Sequence, residues 1–253
     1  SAGSKGSMPE SGLILLYYGL DGHLYRTDSA ASYIRQLTTV PDRSEEGEFI
    51  FFRPPRVSPD GHWLALNGGW GGAALLDLAE GKAVGVGRGG AMQAPAWSPD
   101  SQSIAYLGRD NKLCIVGVPD LVEDCPFQDV RRLQEAVWSP NGLWIAVALV
   151  DPVGEDGNCC TGQILLFDPV DGSAEVVGTF ATTFEPIGGD SLAWLPDGSG
   201  LLIKNTTDGG SAIFNPETGV TVSFAQPIVS VSPDGRHLLA SSGLVSDVAG
   251  AAL

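Results

Sequence analysis

Five near-copies of a single turn constrain this chain more than any other feature. Val57-Ser-Pro-Asp-Gly61, Trp97-Ser-Pro-Asp-Ser101, Trp138-Ser-Pro-Asn-Gly142, Trp194-Leu-Pro-Asp-Gly198 and Val231-Ser-Pro-Asp-Gly235 begin 40, 41, 56 and 37 residues apart. Each residue of the unit has a physical task. Proline presets φ for the first central position of a tight turn, aspartate or asparagine bonds locally to the backbone, and glycine takes a positive φ at the close. Ser101 lacks glycine's freedom, so its turn is expected to be strained or altered. Recurrence at this spacing marks a repeat architecture, in which each unit buries its apolar face against the next.

Short apolar runs follow every turn: Trp63–Leu66, Ile104–Leu107, Trp144–Val147, Leu201–Ile203 and His237–Ala240. Their length and composition make them strands. A third run lies beyond each of the first four: Ala74–Asp77, Leu113–Val116, Ile164–Asp168 and Ala212–Asn215. Turns such as Asp171-Gly172 and Thr218-Gly219 then lead to a fourth strand. Each unit therefore reads as strands A (ending in the motif), B, C and D, the content of one propeller blade. Trp97, Trp138 and Trp194 sit on strand A, where they wedge between blades, and truncating one is expected to cost about 3–5 kcal/mol.

Leu13–Tyr18, His23–Asp28 and Ile34–Thr38 read as B, C and D without an A, while Ile228–Ala240 supplies A and B. Strands from both termini are thus expected to share closure of the ring, which removes exposed edges. The expected fold is an all-β propeller of four-stranded antiparallel blades, five or six in number, with six favoured. Residues 1–10 read as a linker or cloning remnant and 11–253 as one domain.

On these motifs the chain resembles the TolB-like, or PD40 (WD40-like), β-propeller repeat family, whose mark is a W-S-P-D-G turn followed by an apolar strand. The resemblance covers residues 13 to 240. It departs at Val57 and Val231 in place of tryptophan, Leu195 in place of serine and Ser101 in place of glycine. It implies an interaction module, exported or attached to other domains, and leaves activity open, because one fold carries many functions.

Charge narrows the partners. Thirty acidic residues against 14 basic ones give a net charge of −16, a surface that repels phosphate backbones and suits basic or neutral partners. No apolar run approaches the ~20 residues of a membrane span. Cysteines occur at 114, 125, 159 and 160. Cys114–Cys125 is a candidate bridge between neighbouring strands, and Cys159–Cys160 either a vicinal disulfide or a pair of thiols. An even count fits an extracytoplasmic setting.

In a four-stranded blade the A–B and C–D turns share one face, and the B–C and D–A loops the other. The long segments 39–56, 151–161 and 179–191 belong to the second face, where functional residues are expected. Glu45, Glu46, Phe49, Trp70, Glu155, Asp156, Phe184 and Glu185 are the candidate binding residues. Acidic loops with aromatics suit a protein or peptide partner, or alternatively a glycan stacked on Trp70. Asp151, Glu155, Asp156 and Asn158 offer the hard oxygen ligands that calcium prefers, without EF-hand spacing. They form either a calcium loop or a solvated acidic one, and no other cofactor is expected.

Catalytic motifs are sparse. Gly85-Val-Gly-Arg-Gly-Gly90 matches G-x-G-x-x-G but runs into a motif strand and not a helix, so no phosphate cradle follows. His23, His62 and His237 fall in different blades, and no G-x-S-x-G occurs. The expectation is a binding module and not an enzyme, with a calcium-dependent enzyme as the least favoured reading.

Overall fold

The motif turns fold as one repeated hydrogen-bonded device. In each, the N–H of the fifth residue donates to the carbonyl of the second, at 2.8–3.0 Å, as from Gly61 to Ser58 and from Gly198 to Leu195. The serine hydroxyl donates to the aspartate or asparagine two residues on, as from Ser58 to Asp60 and from Ser139 to Asn141. It also accepts the first N–H of the next strand region, from Trp63, Ser103, Trp144 or His237, at 2.9 Å in every case. The aspartate or asparagine takes the N–H two residues ahead. Serine and aspartate thus work as a pair where both occur, because each satisfies donors that the turn leaves over.

The computed structural model describes residues 14–18, 23–28, 32–37, 55–67, 73–86, 95–129, 131–150, 161–181, 191–243 and 245–248. These build six antiparallel sheets in strict chain order. Sheet 1 holds β1 (Ile14–Tyr18), β2 (Leu24–Asp28) and β3 (Ile34–Gln36). Sheet 2 holds β4 (Arg56–Val57), β5 (Trp63–Asn67), β6 (Ala73–Asp77) and β7 (Ala83–Val86). Sheet 3 comprises β8 (Ala96–Trp97), β9 (Ser103–Leu107), β10 (Lys112–Gly117) and β11 (Glu123–Gln128). In sheet 4 are β12 (Arg132–Trp138), β13 (Ile145–Val150), β14 (Thr161–Phe167) and β15 (Ala174–Ala181). Sheet 5 runs through β16 (Leu192–Trp194), β17 (Leu201–Ile203), β18 (Ser211–Phe214) and β19 (Thr221–Phe224). Sheet 6 has β20 (Ile228–Val231), β21 (His237–Ala240) and β22 (Val245–Asp247).

The expected A-to-D order therefore stands in sheets 2 to 5, and sheet 1 lacks an A strand among the described residues. Sheet 6 gains a third strand, β22, that the sequence reading did not assign. Among the described residues the two terminal sheets pair only within themselves.

Burial follows from sheets stacked face to face. Five apolar cores lie between successive sheets. Leu24 and Leu37 meet Leu64, Leu66 and Leu76 between sheets 1 and 2, and Leu75 meets Ile104 and Val116 between 2 and 3. Leu107 and Leu113 pack on Ile145, Val147 and Phe167, and Ile164 and Phe180 on Leu201 and Ile203. Leu202 and Ile213 close on Ile228 and Leu238. Such strands carry apolar residues on both faces, as in the wholly buried Ile145–Val150.

The motif tryptophans stitch these seams. Trp97 Nε1 donates to Arg56 O at 2.9 Å and Trp194 Nε1 to Val137 O at 3.2 Å, in each case the A strand of the preceding sheet. Trp138 differs, reaching Gly142 O of its own turn at 3.4 Å. Val57 and Val231 carry no such donor.

Ser101 keeps the turn unaltered, with φ +63° and its N–H on Ser98 O at 3.0 Å. Its left-handed backbone is costly for a residue with a side chain. In return Ser101 Oγ accepts the N–H of Asp60 from the neighbouring turn at 3.0 Å. Where leucine replaces serine at 195, it is buried, and Asp197 bonds the Ser199 N–H and hydroxyl instead. A Cβ at Gly200 would lie 3.0 Å from Leu195 and 2.7 Å from Ile213, so the larger side chain is matched by a residue with none.

Candidate functional site

The two ends of the sheets differ in chemistry. At the motif end the described connections are short and are closed by their own hydrogen bonds. Asp77, Asp168 and Asn215 each accept two N–H groups of the C–D turn that follows them. The motif carboxylates are held ionised. Burial pushes Asp60 up, but hydrogen bonds from Ser58 and from the side chain and backbone of His62 outweigh it and bring it to about 2. Ser98 lowers Asp100, the Ser199 backbone and hydroxyl lower Asp197, and Ser232 lowers Asp234. His62 Nδ1 lies 3.0 Å from Asp60 and His237 Nδ1 3.9 Å from Asp234. These carboxylates serve the turns and are poorly placed to take a proton near neutral pH.

At the opposite end the strands are joined by the long connections. The long segments 38–54, 87–94, 151–160 and 182–190, and the shorter 68–72, link D to A or B to C. Glu45, Glu46, Phe49, Trp70, Glu155, Asp156, Phe184 and Glu185 all fall in them. So do the calcium candidates Asp151 and Asn158, and Cys159 and Cys160. All of these residues lie outside the described residues.

The described part of this end carries polar groups that sequence reasoning passed over. Glu135, 5% exposed on β12, accepts the N–H of Ser191 at 2.9 Å and so holds the entry to β16. Asp129 grips Arg131 through two contacts at 2.8 and 2.9 Å, and Arg131 also donates to Gln163. The ladder of β12 shifts register between Leu133 and Glu135, which is how consecutive polar residues enter a buried strand. The signal was present in the sequence: Gln134-Glu135 places two consecutive polar residues in a strand that ends Ala136-Val137-Trp138.

Cys114 and Cys125 form a disulfide between β10 and β11, as expected. It sits at a register shift of that pair. A Cβ at Gly108 would lie 2.9 Å from Cys114 Sγ, so the sulfur occupies space that only glycine leaves. Glu123 stands alongside and accepts the Tyr106 hydroxyl. The donor atoms of Cys114, Glu123 and Cys125 lie within 4.8 Å of one another, a grouping suited to a metal ion. With the two sulfurs bonded to each other, the set offers one carboxylate. Metal coordination there needs the thiolates that reduction would release.

No protein-family model matches this chain, and no curated protein matches it. Its fold is nevertheless shared with solved structures. TolB from Acinetobacter baumannii is 17% identical, with a TM-score of 0.55 over 85% of this chain and 53% of its own. An oligogalacturonate lyase in complex with manganese is 17% identical, with a TM-score of 0.61 over 93% of this chain and 73% of its own. The dihydro-heme d1 dehydrogenase NirN is 18% identical, with a TM-score of 0.60 over 92% and 47%. The chain thus spans about half the length of TolB and of NirN.

Two expectations change. The reading of a protein that is not an enzyme is overturned, since a lyase and a dehydrogenase share the fold at this level of similarity. The fold admits catalysis without demonstrating it. The expectation of no cofactor beyond calcium also loses its ground, given the manganese of the lyase and the Cys114–Glu123–Cys125 grouping. Among the described residues no helix is long and apolar enough to cross a membrane. Sheets stacked in chain order, seams closed by motif tryptophans and these structural likenesses lead to one conclusion: the chain is a β-propeller of the kind seen in TolB.

Proposed function

We propose that this propeller binds a protein or peptide partner through the end opposite its motif turns. One observation carries the reading. Every described A–B and C–D turn is short and closed by its own hydrogen bonds, whereas all the long connections leave from the other end. A rigid scaffold that gathers its variable segments at one end is the usual support for recognition. The acids and aromatics at 45, 46, 49, 70, 155, 156, 184 and 185 belong to those segments, and a net charge of −16 favours a basic partner. Residues 11–253 act as the binding domain. The Cys114–Cys125 bridge supports an extracytoplasmic setting.

The test is binding of an arrayed library of basic peptides to the native chain and to a Glu45→Gln/Glu46→Gln/Glu155→Gln/Asp156→Asn variant of equal melting temperature. Selective retention by the native chain, weakening with salt, is the expected outcome. Equal retention by both forms would remove these loops as the site. Retention of oligosaccharides in place of peptides, lost in Trp70→Ala, would replace the partner with a glycan.

A further inference from the structure

Sheet 1 carries two arginines directly opposite each other. Arg26 on β2 pairs in register with Arg35 on β3. Both reach across the seam to the turn that follows β6: Arg26 Nη1 donates to Leu78 O at 3.3 Å and Arg35 Nη1 to Ala79 O at 3.1 Å. Arg35 lies over Gly81, where a Cβ would come 2.9 Å from its Nη2. Arg26 is 8% exposed, and its Nε is buried without a hydrogen-bond partner.

Two positive charges in adjacent strands repel, and a guanidinium removed from water needs both its N–H groups and its charge answered. Backbone carbonyls answer single N–H groups and leave the charge. The acids of the facing β6–β7 turn are engaged: Asp77 holds the N–H groups of Ala79 and Glu80, and Glu80 pairs with Lys82 at 2.8 Å. Among the described residues neither arginine has a carboxylate within ion-pair distance. A water molecule would satisfy the Nε proton and leave the charge unmatched.

We propose that Arg26 and Arg35 form an oxoanion site at the seam between sheets 1 and 2. The Nε–Nη2 edge of Arg26 is a planar fork that receives a carboxylate or phosphate group through two parallel hydrogen bonds. Arg35, partly exposed, forms its outer wall. The site is built on the turn that follows β6, at the motif end of the sheets. In a chain of −16 net charge it is a local reversal of sign, which selects small anions over extended acidic partners.

Thermal melting in inorganic phosphate, in malonate and in sodium chloride, at equal ionic strength, tests this. Either oxoanion should raise the melting temperature by about 5 °C or more at 100-fold over its Kd, with chloride giving no such rise. Which of the two acts identifies the group. Arg35→Gln, at the outer wall, should weaken binding at least tenfold. Arg26→Lys keeps the charge and most of the packing but removes the fork, and should do the same. Equal shifts in all three salts, or an unchanged Kd in both variants, would overturn the proposal.

Discussion

Asn141 stands where the other four turns carry aspartate, and its amide oxygen accepts the same two bonds, from Ser139 and from the Leu143 N–H. Geometry at this position therefore needs an acceptor, and the negative charge is an addition to it. The addition has a pH signature. Asp60, Asp100, Asp197 and Asp234 are all lowered in the folded chain, Asp60 to about 2, against about 3.9 for a free aspartate. A lowered carboxylate contributes stability above its unfolded value and loses it as pH falls through the folded one. The melting temperature should thus drop between about pH 4 and pH 2 by more than its general acid decline. In an Asp60→Asn/Asp100→Asn/Asp234→Asn variant, the melting temperature at pH 7 should be modestly lower and the acid limb shallower, as followed by circular dichroism across pH 2–7. An acid limb unchanged from the native chain would show that these carboxylates contribute nothing. Ser101 illustrates the limit of reading such positions singly. The sequence suggests a strained or altered turn; the backbone is strained and the turn unaltered, and the Ser101 hydroxyl bonds the neighbouring turn at Asp60.

Among the described elements, the β10–β11 hairpin is closed covalently. Cys114 and Cys125 are 11 residues apart, and a loop of that size stabilises the fold by about 2–3 kcal/mol through the unfolded chain. Cys125→Ser should lower the melting temperature by about 5–10 °C by calorimetry, and a loss under 2 °C would mean that the bridge adds little. The strand pattern and this pairing were readable in the sequence, because strands, tight turns and cysteine spacing leave local signatures. Compensations between positions were not. Leu195 reads as a defect until Gly200 is seen beneath it, and β22 is too short and mixed in composition to declare itself. The candidate site divides in the same way. Acidic and aromatic loop residues stand out by composition, whereas Glu135 and Arg26 gain meaning only from the backbone each one meets across a seam, at Ser191 and Leu78.

At the scale of the molecule, the repeat fixed the architecture in advance because each unit carries its own turn, strand order and apolar faces. It left function open because the same scaffold serves TolB, a lyase and a dehydrogenase. The five cores have a consequence of their own. Each binds a sheet only to its sequence neighbours, and no core joins sheets 6 and 1 among the described residues. The outward side of sheet 1 shows Leu15, Tyr17 and Ile34, 42%, 39% and 61% exposed, and sheet 6 shows Val229 and Leu239, 50% and 41% exposed. Coupling of this nearest-neighbour kind makes cooperativity linear, so that order is lost sheet by sheet and not all at once. Amide hydrogen exchange should then be slowest in β13 and β14 and quicken in both directions along the chain. The seams between the described sheets would then act as a timetable, with the middle of the chain the last part to open to solvent.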